Sequence, residues 1–184
     1  MILNLGSCSE SMPPEAEQAI VSSFNPEHYL GTWYEIARLE NSFEKGLEQV
    51  TAYYSLQSDG TIRVVNRGFN PQKKDWHDAI GIAKFVDPVN ADGSRTGKLK
   101  VSFFRPFYGE YNILALGKTL KEGKPDYTYA LVSSGREYLW ILSRTPQLSD
   151  NIKQQLISRA NTLGFATEQL LFIRQADQVE YKPG

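Results

Sequence analysis

The sequence predicts an all-β protein: an eight-stranded, up-and-down antiparallel β-barrel (a calyx), with a C-terminal α-helix packed on its outside and a short final strand. Three observations carry this. Strand-like segments recur from residue 33 to residue 144, separated by turns rich in Gly, Asn, Asp and Pro. No long helical crossover lies between any two of them, which argues against parallel pairing. One late stretch, starting at Ser149, changes to helical spacing.

The N-terminal residues 1–23, rich in Ser, Glu and Pro, are expected to be a flexible tether; 24–175 form the barrel and its helix, and 176–184 a tail. Asn25 is a good cap and Pro26 a good first residue for a short helical turn. Gly31 then opens the first strand, 33–39. The loop 40–48, with Phe43 and Gly46, has the character of a lid over an opening. Strand 50–56 turns at Asp59-Gly60, a strong hairpin signal, into strand 61–69, which Asn70-Pro71 ends. Strand 76–86 and a polar loop, 87–97, precede strand 98–104, where apolar residues alternate cleanly. A turn at 105–109 leads to strands 111–116, 127–133 and 138–144. Ser149 caps a run with Ile152, Leu156, Ala160 and Leu163 at helical spacing, and Gly164 stops it. Segment 170–173 is the last short strand.

Composition excludes several classes. A chain of 184 residues with 41% hydrophobic residues and a net charge of -1 is neither disordered nor a nucleic-acid binder. No run approaches the roughly 18 apolar residues of a membrane helix. The single Cys8 rules out an internal disulfide and a cysteine-based metal cluster. Leu5-Gly6-Ser7-Cys8 nevertheless resembles a bacterial lipobox, in which the cysteine is lipidated; Met1-Ile2-Leu3 then reads as the end of a hydrophobic region that starts upstream. His28 and His77 are read as solvated surface residues, and no nucleophile elbow, phosphate loop or zinc-binding helix is present. Glu35 and Glu48 are the candidate acids, expected at the mouth or on the outer face. No catalytic residue, metal or cofactor is expected.

Gly31-Thr32-Trp33 at the first strand and Arg144 at the end of the eighth resemble the G-x-W signature and the tryptophan-covering arginine of lipocalins. Lys124-Pro125-Asp126-Tyr127 keeps only the Asp-Tyr of the family's Thr-Asp-Tyr link, in a connection that reads as longer than usual. With Phe103-Phe104-Arg105-Pro106-Phe107-Tyr108-Gly109, the match is nearest to bacterial outer-membrane lipocalins, with apolipoprotein D and plant temperature-induced lipocalins as relatives. The resemblance implies a carrier of an amphipathic lipid such as a fatty acid or lysophospholipid, tethered to the outer membrane on its periplasmic side if Cys8 is lipidated, and otherwise periplasmic or soluble. A pigment, sterol or retinoid carrier and a lipid-modifying enzyme are the alternatives, and a homodimer is a candidate assembly.

Gly31, Trp33 and Arg144 are assigned a structural role: an indole plugs the narrow end, and a guanidinium stacked on it adds roughly 0.5–2 kcal/mol. Side chains alternate in and out along each strand. That places Asn66, Phe85, Phe103, Tyr111, Tyr129 and Trp140 on the inner face as candidate ligand contacts, with Leu131 beside Tyr129, and the resemblance to the related carriers implies that Tyr54 joins them. Arg38, Phe43, Arg105, Phe107 and Tyr108 are the expected rim, its cations available to an anionic head group.

Overall fold

Each of the first eight strands is hydrogen-bonded to its neighbour in sequence, and the last short strand pairs with the first. The computed structural model describes residues 11–121 and 124–176. Among these, β1 (Gly31–Leu39), β2 (Glu48–Leu56), β3 (Ile62–Asn70), β4 (Asp75–Phe85), β5 (Lys98–Phe104), β6 (Phe107–Lys121), β7 (Lys124–Ser134), β8 (Tyr138–Ser143) and β9 (Leu170–Phe172) form one antiparallel sheet. The order is β2-β3-β4-β5-β6-β7-β8-β1-β9, and a further β1–β2 pairing closes the first eight into the expected barrel. Helix α2 (Asp150–Thr162) is capped by the Ser149 side chain, as its sequence predicts.

Two apolar clusters follow from strands that are buried on both faces. Trp33, Tyr54, Val64, Leu99, Ile113 and Val132 fill the inside. Tyr34, Ile36, Leu114, Leu131 and Ile141 meet Leu156, Ala160 and Leu163 between wall and helix.

Three expectations change. The stretch expected as a tether is docked from Met12 onward: Pro14–Gln18 forms the short helix α1, Ala16 is fully buried, and Val21 bonds to Ile113 and Gly97. Cys8 lies outside the described residues. The supposed long link before Asp126 is the end of a hairpin, because the ladder runs on to Leu120–Pro125 and Lys121–Lys124. Its lysines and proline hide a strand that ordinary alternation would have shown.

The third change concerns β7. Ala130 and Val132 point into the barrel, so Tyr129 and Leu131 belong to the outer cluster. Tyr129 lies flat over Gly117, where a Cβ would collide with its ring. A strand covered by a helix is apolar on both faces, so period-2 reading cannot choose its inner side.

Candidate functional site

The barrel has one sealed end and one open end. At the sealed end Gly31 has φ +92°, a left-handed conformation that suits glycine and lets Arg144 approach. The Arg144 guanidinium sits 4.0 Å from the Trp33 ring centroid. It donates to the carbonyls of Tyr127 (3.2 Å), Thr32 (2.9 Å) and His28 (2.8 Å). Trp33 Nε1 donates to Tyr29 O at 2.8 Å. The strand ends are thereby satisfied by a half-buried arginine side chain.

Above this floor three tyrosine hydroxyls meet. Tyr111 Oη lies 2.7 Å from Tyr29 Oη and 2.9 Å from Tyr54 Oη. Burial pushes all three phenols above their ordinary range, so they stay protonated and can donate. They line, with Phe24, Ile62, Val64, Ala83, Leu99 and Ile113, a cavity of about 10 Å³. That is room for about one water. An acyl chain reaches this depth only if the side chains around it move. Phe85 also belongs to this level, packed 6.3 Å from Phe24 and covered by Arg95 at 4.6 Å.

At the open end the wall separates. β4 pairs with β5 only over Ile82–Phe85, so the inner face of β4 is open from Asp75 to Ile80. Asn66, between Ala52 and Ala79 on the inner face, is half-buried there. The loop after β1 folds across this mouth: Leu47 reaches the place where a Cβ on Gly68 would stand. Phe103 does the same at Gly81 and is 43% exposed, so it lies at the mouth and not deep in the lumen. Phe43, Phe104 and Phe107 stand 61%, 77% and 72% exposed, with exposed Arg105 in the turn between the last two.

Two expected rim residues are elsewhere. Tyr108 faces outward, where Lys84 and Lys100 approach its ring at 5.8 and 5.5 Å. Arg38 is only 2% exposed and shares the inner face with its partner Trp140. A register shift between Glu35 and Ala37 turns it inward, which regular alternation could not foresee. Arg38 Nη1 pairs with Glu35 Oε1 at 2.6 Å, and Nη2 donates to the carbonyls of Glu44 (2.6 Å) and Leu47 (3.4 Å).

Sequence reading missed the rest of this cluster. Glu35, expected at the mouth or outside, is buried opposite Leu142 on the inner face. Glu44 accepts from Asn41 Nδ2 at 2.5 Å and from Trp140 Nε1 at 3.0 Å. Burial first, and the nearby Glu44 second, push the Glu35 carboxyl well above the usual carboxylate range. The only sequence signal was a lid loop carrying acids, and nothing indicated that one would fold inward.

A family model described as a lipocalin-like domain matches residues 24–175. Over 170 residues the chain is 46% identical to the outer membrane lipoprotein Blc of Citrobacter freundii, covering 91% of this chain and 88% of the relative. It is 34% identical over 175 residues to temperature-induced lipocalin-1 of Arabidopsis thaliana, covering 90% and 87%. The solved structure of insecticyanin from the tobacco hornworm Manduca sexta superposes with a TM-score of 0.62 at 18% identity, covering 94% of this chain and 88% of that one.

Proposed function

The chain belongs to the lipocalin family, and from that premise we propose that it is a non-enzymatic carrier of a single-chain amphipathic lipid, a fatty acid or lysophospholipid. The observation that carries the reading is the mouth. Three strongly exposed phenylalanines, Phe43, Phe104 and Phe107, stand at the open end of a barrel whose inner wall is mainly apolar down to its floor. Exposed aromatics at an entrance attract a partly solvated chain, and each methylene then buried contributes about 0.8 kcal/mol.

Tyr54, Tyr111, Asn66, Phe103 and Trp140 are the lining residues assigned to the ligand, with Arg105 beside the entrance. Phe85, near the floor, meets it only when the chain passes the tyrosine trio. Tethering through a lipidated Cys8 is supported by the Leu5–Cys8 motif and by relatives named outer membrane lipoprotein. Intact-mass measurement of protein recovered from bacterial membranes tests it; an unmodified Cys8 contradicts it. The carrier reading is tested by displacement of the uncharged dye N-phenyl-1-naphthylamine. Oleate and lysophosphatidylcholine are expected to displace it in the micromolar range, and failure of both contradicts the reading.

A further inference from the structure

Loop 40–47 places a carboxylate inside the mouth of a barrel whose lining is mainly apolar. A carboxylate taken out of water is costly unless donors receive it. Here the donors are in place: the Glu44 carboxylate is held by Trp140 Nε1 from the barrel wall and by Asn41 Nδ2 from the loop itself. Beside them lies Arg38, a cation 2% exposed whose Nε has no hydrogen-bond partner among the described residues. Arg38 grips Glu44 through its main-chain oxygen and spends its charge on Glu35. The cluster therefore presents an indole N–H, an amide N–H and a cation with one donor unused, gathered where a lipid head would lie.

We propose that this cluster is the head-group subsite for an anionic single-chain lipid, and that Glu44 occupies it in the unliganded protein as an internal competitor. The proposal rests on the carrier reading and adds the chemistry of the head group. A ligand carboxylate or phosphate that replaces the Glu44 carboxylate gives the same donors an anionic acceptor and keeps the net charge of the cluster. Trp140 Nε1 then donates to the ligand. Loop 40–47 swings outward, lifting Leu47 off Gly68 and opening the mouth. An uncharged head of the same size offers no such exchange, because it gives the Trp140 and Asn41 donors no anionic acceptor. The device thus couples the sign of the head group to opening of the lid.

The test compares oleate with oleamide, which share a chain and differ in charge, by displacement of N-phenyl-1-naphthylamine from the wild type and from Glu44→Ala. The variant is expected to bind oleate roughly tenfold more tightly, since one competing charge-assisted contact is removed, while oleamide changes less than about twofold. Equal changes for the two ligands, or none, overturn the proposal and make Glu44 a mere latch. In the unmodified protein, the Trp140 indole N–H resonance is expected to move on addition of oleate and to stay in place with oleamide. A resonance that responds alike to both also overturns it, and this readout does not depend on the variant folding. If neither ligand binds the wild type, the carrier reading itself falls, a result distinct from equal binding of both.

Discussion

The two ends of the barrel solve opposite problems with similar residues. At the sealed end an arginine covers a tryptophan and donates to three carbonyls, with a cavity of only about 10 Å³ above it. At the open end an arginine again lies near a tryptophan, but Arg38 and Trp140 both hold parts of a loop that crosses the mouth. The sealed end joins parts of the wall that folding must join anyway, through main-chain acceptors that every sequence supplies. The open end is held by Arg38 on two loop carbonyls and by one loop side chain, Glu44, on Trp140, beside exposed phenylalanines that bury little in the closed state. The difference teaches that stability is concentrated at the floor and ligand choice at the mouth.

Substitutions at the two ends should therefore separate stability from binding. Arg144→Ala removes the ring cover and strands three carbonyls, and is expected to lower stability by about 2–4 kcal/mol. At temperatures where it stays folded its affinity for oleate should be unchanged; unchanged thermal unfolding would break the comparison at once. Tyr111→Phe deprives Tyr29 and Tyr54 of the hydroxyl they share, and should cost about 1–3 kcal/mol in denaturant unfolding. A smaller loss would mean that the trio is filler with adaptable partners.

Glu35 sharpens the contrast through pH. Its carboxyl, raised by burial and by Glu44, holds its proton more tightly folded than unfolded. Its contribution to stability is complete below the ordinary carboxylate range of about 4–4.5 and is lost as pH rises through the folded pKa. Above pH 5 the wild type should lose up to about 1.4 kcal/mol per pH unit in the window where Glu35 titrates, and Glu35→Gln should lack that slope. Parallel pH profiles for the two proteins would contradict this. At the mouth itself, the double change Phe104→Ser and Phe107→Ser should alter stability by no more than about 0.5 kcal/mol. The same protein should take up a fluorescent fatty acid from vesicles more slowly.

Much of the floor was legible because its residues carry the lipocalin signature at the strand ends. Gly31, Trp33 and Arg144 match that signature, and the resemblance to lipocalins implied that the arginine covers the tryptophan. The strand order was legible because turn signals separate the strands and no helical crossover lies between them. Arg38 was not, because one register shift in β1 reverses the face of every residue after it. Tyr129 was not, because helix α2 covers its strand and removes the polar side that would reveal the inner one. Glu44 was least legible of all: its position depends on a loop whose path is set by Arg38 and Leu47, contacts that no local pattern encodes.

The central claim, that this barrel carries a single-chain lipid entering by its aromatic mouth, is tested most directly by native mass spectrometry of protein purified without detergent, followed by extraction and identification of what it carries. The account predicts a complex retaining one fatty acid or lysophospholipid per barrel, lost on denaturation. Protein that carries no lipid, and still takes up none after incubation with oleate, would contradict it.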